Sequence, residues 1–190
     1  MITQLEEVRT LGNTALLRLP KTAFFCSRDY PPGIEHATYV WAMEQRQLGR
    51  CVASGFHSRL EQAVFRFLRQ DLQQPIIYGL GRGIQPSVAF EYERDIRLGH
   101  LLFISHFEPE QTTISQETAD IRNLLLADVS DQLFIPYMQP GGNLERLVHH
   151  AVARHKPLLT LNIAGNAALK RPHRQLYQLP GLLGGHRANL

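Results

Sequence analysis

The sequence contains few of the features that define several common classes of protein. It has only two cysteines, Cys26 and Cys51, in 190 residues, and neither lies in a Cys-x-x-Cys pair or near a Cys/His cluster. We therefore expect no disulfide scaffold but two reduced, buried thiols in a cytoplasmic protein. No apolar run approaches the about 20 residues that a membrane-spanning helix needs. Because Glu6 and Glu7 interrupt the N-terminal stretch, we also expect no signal peptide and no contact with a membrane.

Motifs of several enzyme classes are missing as well. The chain has no Gly-x-Ser-x-Gly nucleophile elbow and no Walker lysine motif, and the glycines at 79–83 lack the Gly-x-Gly-x-x-Gly spacing of dinucleotide-binding proteins. None of the nine histidines belongs to a His-Glu-x-x-His pair. We therefore expect no metal and no cofactor.

The residues that are present have the composition of one ordinary globular domain. Hydrophobic residues make up 44% and charged residues 19% of the chain. Short apolar runs alternate about six times with segments of helical spacing. The first pair is a strand at 22–26 and a helix at 34–48, which Gly49 ends. This alternation predicts a three-layer α/β/α architecture with a Rossmann-like, mainly parallel sheet of about six strands.

The segment 120–162 shows this pattern most clearly. It reads as a helix, a strand, a glycine loop, a second helix and a second strand. The spacing of Thr113 and Gln116 predicts a capping box at the start of the first helix, which would end near Ala127. A glycine loop in this position is typical of phosphate sites, because it lies outside the carboxyl end of a strand and at a helix N-terminus.

Acidic residues are missing from the last part of the chain. No Asp or Glu follows position 162, whereas four basic residues do: Lys170, Arg171, Arg174 and Arg187. We divide the chain accordingly into a Rossmann-like domain, residues 1–162, and a basic C-terminal tail, residues 163–190. Such a tail either binds phosphate groups or is a solvated or partner-bound segment, and the sequence leaves both alternatives open.

Three of the predicted strands end in loops rich in glycine, serine or arginine. Parallel strands end at one edge of the sheet, so these loops should lie together. Glycine lets the backbone approach a phosphate, serine donates a hydroxyl to it and arginine binds it through two N–H groups. The same residue types also serve merely to turn the chain, but three such loops favour a phosphate site. The candidate ligand-binding residues in these loops are Ser27, Arg28, Ser54, Gly55, Ser58, Pro140, Gly141, Gly142 and Asn143.

Other candidates lie on the neighbouring helices. Arg122, on the helix before the fifth strand, either points into the ligand crevice or lies on the surface with its stem packed against the helix. Glu61 and Glu145 are the only carboxylates that could act as a base or bind a ribose hydroxyl, and the competing interpretation is a first-turn acid favoured by the helix dipole. Few aromatic side chains could stack on a base, and the candidates are Tyr30, Tyr78 and Tyr137.

Taken together, these motifs resemble the Rossmann-like domain of the DNA-processing protein A (DprA/Smf) family, from about residue 23 to residue 162. The family's Gly-Ser-Arg appears as Cys26-Ser27-Arg28, and its Arg-Asn appears as Arg122-Asn123. Its Gly-Ile-Asp is replaced by Arg59-Leu60-Glu61. The resemblance implies an extended Rossmann-like sheet, a homodimer, and binding of single-stranded DNA or a nucleotide at the carboxyl ends of the strands.

A second resemblance concerns the glycine loop alone. Pro140-Gly141-Gly142 is similar to the Pro-Gly-Gly-x-Gly-Thr-x-x-Glu signature of the LOG phosphoribohydrolases, which belong to the same superfamily. Leu144 and Glu145 occupy the Gly-Thr positions, so the catalytic glutamate is missing unless Glu145 replaces it. The main hypothesis is therefore a non-enzymatic, DprA-like protein that binds a nucleotide or single-stranded DNA. The alternatives are a LOG-like N-glycosidase acting on nucleoside monophosphates, and a structural or partner-binding module.

Overall fold

The computed structural model of the chain describes residues 8–169 and 174–179. Its strands form one sheet of eight in the order β1-β5-β4-β3-β2-β6-β7-β8. The strands are β1 (Arg9–Gly12), β2 (Lys21–Phe24), β3 (Cys51–Ser54), β4 (Ile76–Gly79), β5 (Leu101–Ser105), β6 (Gln132–Ile135), β7 (Leu158–Leu161) and β8 (Arg174–Tyr177). The helices are α1 (Ile34–Gln47), α2 (Arg59–Leu68), α3 (Pro86–Glu91), α4 (Glu93–Arg97), α5 (Gln116–Val129) and α6 (Leu144–Ala153).

The sheet is doubly wound around β2. All neighbouring strands from β5 through β2 to β8 are parallel, and β1 alone pairs in the antiparallel direction, with β5. Ala23 of β2 lies between Ala53 of β3 and Leu133 of β6. The chain moves outward from β2 in one direction through β3 and in the other through β6. The topological switch point therefore lies between β2 and β6, where open α/β sheets bind their ligands.

Helices cover both faces, so the central strands are buried on both sides. Leu125 of α5 and Leu147 of α6 pack on one face, and Trp41 of α1 and Leu60 of α2 pack on the other. The Trp41 ring lies 4.3 Å from the ring of Phe134 in β6. Strands covered on both faces need continuous apolar sequences instead of alternating ones, which is why short apolar runs identified them.

The predicted three-layer architecture and the mainly parallel sheet are confirmed. The six predicted strands correspond to β2 through β7, and the structure adds β1 and β8 at the two edges. β1 gave no hydrophobic signal because three of its four residues are exposed. β8 lies within the segment predicted to be a basic tail and begins at Arg174. The other three basic residues of that segment, Lys170, Arg171 and Arg187, lie outside the described residues.

The start of α5 differs from the prediction. The capping box joins Ser115 and Thr118: Ser115 Oγ accepts from the Thr118 N–H at 3.2 Å, and Thr118 Oγ1 accepts from the Ser115 N–H at 2.9 Å. The prediction from Thr113 and Gln116 is therefore wrong by two residues, because Thr118 fills the place that Glu or Gln usually takes in this motif.

The two thiols are free and buried, as predicted. Burial raises the pKa of Cys26, and it raises the pKa of Cys51 to about 12. Neither thiol is therefore a ready nucleophile. Among the described residues, no helix has the length and hydropathy that crossing a bilayer requires.

Candidate anion-binding crevice

A cavity of about 330 Å³ opens at the switch point, outside the carboxyl ends of β2, β3 and β6. Its walls are the loop 25–29, the loop at the start of α2, the loop 139–144 and one face of α5. We call it the switch-point crevice. Eight of the predicted ligand-binding residues line it: Ser27, Arg28, Ser58, Arg122, Pro140, Gly141, Gly142 and Asn143.

The two other predicted loop residues, Ser54 and Gly55, lie behind the crevice. Ser54 is fully buried, and its Oγ accepts a hydrogen bond from the Phe56 N–H at 3.1 Å. A Cβ atom at position 55 would lie only 2.5 Å from Arg122 Nε. Gly55 therefore makes room for the Arg122 side chain, and neither residue faces the cavity.

Glu61 connects two walls of the crevice. Its Oε1 accepts from the Cys26 N–H at 2.9 Å, and its Oε2 accepts from the N–H groups of His57 at 2.7 Å and Ser58 at 3.1 Å. Burial raises the pKa of this carboxyl group, while the three N–H donors and the charge of Arg122 oppose that shift. Because both carboxylate oxygens hold backbone N–H groups, Glu61 shapes the site and is not a free base.

Ser27 connects the first wall to the glycine loop. Its N–H donates to the Tyr137 carbonyl at 3.2 Å, and its Oγ accepts from the Gln139 N–H at 2.9 Å. Gly141 has a φ of +72°, which favours glycine. A Cβ at Gly142 would approach the Gln139 carbonyl oxygen to 2.9 Å. Both glycines are thus needed for the shape of the turn.

The N-terminus of α6 faces the crevice without a cap. Asn143 occupies the N-cap position, but its Nδ2 donates to Gln116 Oε1 at 2.8 Å instead of the side chain capping the helix. Within the described part of the chain, no hydrogen bond uses the backbone N–H groups of Asn143 and Leu144. Such open N–H groups, together with the helix dipole, favour an anion.

Arg122 forms a positively charged part of the crevice wall. It is only 7% exposed, and its Nε and Nη2 donate to Asn123 Oδ1 at 3.2 and 3.0 Å. Among the residues that the structure describes, no carboxylate oxygen lies within ion-pair distance of its guanidinium. Burial lowers the pKa of Arg122, which reflects the cost of enclosing this charge. Of the two interpretations of Arg122, the structure shows the one that places it in the crevice.

Arg28 adds a second positive charge to the crevice wall, and the His57 imidazole lies against it. Arg28 Nη2 lies 3.0 Å from His57 Nε2, so the neutral imidazole accepts from the guanidinium. Partial burial, followed by the charges of Arg122 and Arg28, lowers the pKa of His57. Sequence reasoning did not identify His57 as a site residue. Its place between Gly55 and Ser58, within a predicted phosphate loop, was the available signal.

The remaining candidates lie elsewhere. Glu145 is in the first turn of α6 but does not line the crevice. Tyr78 stacks on Phe103 in the core, with ring centroids 5.3 Å apart, and Tyr137 packs beside Gly165. Tyr30 lines a second cavity next to the crevice. Across residues 8–169 and 174–179, no group of three His, Cys, Asp or Glu side chains is placed to hold a metal ion.

These features define a doubly wound, Rossmann-like α/β protein whose switch-point crevice is lined by two arginines and an uncapped helix N-terminus. The chain matches no family model and no curated protein. Its fold is that of DNA processing protein A. The H. pylori protein, studied for its single-stranded DNA binding mode, superposes with a TM-score of 0.72 and 21% identity over 89% of this chain and 80% of its own.

Two other solved structures extend this finding. DNA processing protein A from Streptococcus pneumoniae gives a TM-score of 0.73 at 16% identity, over 90% of this chain and 62% of its own length. A molybdenum cofactor binding protein from Rippkaea orientalis gives 0.58 at 13% identity, over 86% of this chain and 91% of its own. The predicted resemblance to the DprA fold is thus confirmed, and this chain spans less than two thirds of the S. pneumoniae protein.

Proposed function

We propose that this protein binds single-stranded DNA or a nucleotide by holding phosphate groups in the switch-point crevice. The observation that carries the proposal is Arg122, a buried guanidinium that lines the cavity without a carboxylate partner in the described residues. A buried charge of this kind is costly unless an opposite charge approaches it. Phosphate supplies that charge, and its several oxygens match the fork of guanidinium donors.

The other donors converge on the same space. Arg28 and the open N-terminus of α6 line the crevice together with Arg122. The backbone bonds made by Glu61 and Ser27 fix the loops before a ligand arrives. Donors held in advance lose little entropy on binding, so a preorganised crevice binds phosphate more tightly than mobile loops would.

The comparisons support DNA as the ligand. DNA processing protein A of H. pylori binds single-stranded DNA, and this chain shares its fold. The N-glycosidase alternative gains no support, because Glu61 is occupied by three N–H groups and Glu145 lies outside the crevice. The homodimer implied by the resemblance stays a prediction, which light scattering in solution would test.

Fluorescence anisotropy with a short labelled oligonucleotide tests the proposal. We expect an affinity that falls steeply with added salt, because phosphate contacts release counterions. Arg122→Met should weaken binding at least about tenfold, the loss typical of one charged hydrogen-bonding group. The matched control is Arg97→Met, which removes an exposed arginine near the opposite edge of the sheet. A salt-independent signal, or equal losses in the two variants, would contradict the proposal.

A further inference from the structure

A second cavity of about 380 Å³ adjoins the switch-point crevice. It is lined by Arg28, Asp29, Tyr30, Pro32, Glu35 and Arg59, and we call it the Tyr30 cavity. Arg28 and Asp29 line both cavities. A ligand whose phosphate occupies the crevice can therefore reach the Tyr30 cavity with the group next to that phosphate.

Tyr30 is anchored in the core on one side of its ring. The ring is half-buried and packs against the core cluster that contains Phe24 and Trp41. Burial, followed by the charge of Glu35 at the start of α1, raises the pKa of Tyr30. The ring is therefore a fixed apolar surface beside an open cavity, and a fixed aromatic ring is the surface on which nucleic-acid bases stack.

The charges of the Tyr30 cavity differ from those of the crevice. Arg28 and Arg59 are accompanied by the carboxylates of Asp29 and Glu35. Of the two carboxylates that line the crevice, Glu61 is taken up by backbone N–H groups, and Asp29 is the one that both cavities share. The two acids Asp29 and Glu35 make the Tyr30 cavity a poor place for a second phosphate. A base suits it better, since the edges of bases carry both donors and acceptors.

We propose that the Tyr30 cavity receives the base attached to the phosphate in the switch-point crevice, and that this base stacks on Tyr30. This inference rests on the proposed function and adds a site for the base to it. The protein then contacts a base as well as the DNA backbone. The base and the phosphate bind in adjacent cavities, and Arg28 lines both of them.

The test compares two oligonucleotides of equal length and charge, one with all its bases and one with abasic sugars. In the full chain, Tyr30→Ala should weaken binding of the oligonucleotide with bases by about tenfold, the loss typical of one stacked base. It should leave the affinity for the abasic oligonucleotide unchanged. Tyr30→Leu, which fills more of the volume beside the core but has no ring, should show the same selective loss, and Tyr30→Phe should bind like the unaltered protein.

The outcomes separate this inference from the proposed function. Equal losses for the two oligonucleotides would mean that Tyr30 only supports the Arg28 loop, and no loss for either would mean that no base stacks there. Both results overturn the base site and leave phosphate binding intact. If the unaltered protein binds neither oligonucleotide, the proposed function fails and the base site fails with it.

Discussion

Buried charges have different partners at the two edges of the sheet, the amino edge where the parallel strands begin and the carboxyl edge where they end. At the amino edge, the buried Asp95 carboxylate lies 2.7 Å from Arg69 Nη2 and 3.2 Å from His100 Nε2. Lys156 Nζ, at the same edge, donates to three backbone carbonyl groups at the end of α5, all within 2.7 Å. At the carboxyl edge, the hydrogen bonds of the Arg122 guanidinium, within the described residues, go to Asn123 alone. A charge that is paired directly inside the chain stabilises the fold, whereas a buried charge that forms no ion pair is available to a ligand.

The largest expected effect comes from breaking the partnered edge. Asp95→Ala removes the carboxylate that Arg69 and the buried His100 share. We expect the free energy of unfolding to fall by about 2 kcal/mol, because the charged hydrogen bond to Asp95 is lost while the partly exposed Arg69 is solvated by water. Urea denaturation measures this loss, and the affinity for DNA should be unchanged while the protein stays folded.

Glu93→Ala is the matched control, because Glu93 is an exposed acid on the same helix as Asp95. Exposed substitutions of this kind change the free energy of unfolding by about 0.5 kcal/mol or less. If Asp95→Ala and Glu93→Ala gave the same small loss, charge pairing at the amino edge would not stabilise the fold, and the contrast between the edges would disappear.

A smaller effect, of opposite sign, is expected at the carboxyl edge. Arg122→Met removes a charge that is nearly as buried as Asp95 but forms no ion pair among the described residues, where the charge of Glu61 acts on it only from beyond ion-pair distance. Methionine keeps an unbranched apolar stem that can cover Gly55 without the cost of burying charge. We expect the free energy of unfolding to be unchanged or to rise by about 1 kcal/mol. A clear loss of stability in urea denaturation would show that Arg122 is a structural residue.

Sequence reasoning located the fold because the signals for it are local. Each strand from β2 to β7 contains its own apolar run, and each long helix carries its own apolar face. The edge strands escaped prediction because an edge strand is covered by few neighbours. Leu176 of β8 is 42% exposed, so its pattern does not differ from that of a loop.

The sequence predicted the location of the site but not the role of each residue in it. Loops rich in glycine and serine after three strands predicted a cavity at this edge, because such residues are neighbours in the sequence. A cavity lies there, although Ser54 and Gly55 lie behind it, and binding of a ligand in it stays a prediction. The contacts that assign the roles join distant parts of the chain. Glu61 binds the N–H of Cys26, and Gly55 lies under Arg122. No local pattern shows that Gly55 serves an arginine far along the chain instead of a phosphate.

The smallest expected effect is a change in DNA affinity with pH, which tests the carboxyl edge through the titration of His57. Burial and the charges of Arg122 and Arg28 lower the pKa of His57 below its usual value of about 6.5. The unfolded chain then binds the proton more tightly, so acid slightly destabilises the free protein as pH falls below about 6.5. A bound phosphate counteracts the two guanidinium charges and raises this pKa again, so the complex binds the proton more tightly than the free protein does.

Because binding and protonation are linked, the affinity for single-stranded DNA should rise as the pH falls, even though the free protein becomes less stable. We expect a gain of about threefold between about pH 7.5 and about pH 5.5, measured by anisotropy at constant ionic strength. Phosphodiesters do not titrate in this range, so the gain should vanish in His57→Gln. If the gain persists in that variant, another group titrates. If the affinity of the unaltered protein is independent of pH, the phosphate does not bind near His57, and the positive edge of the sheet is not where the ligand sits.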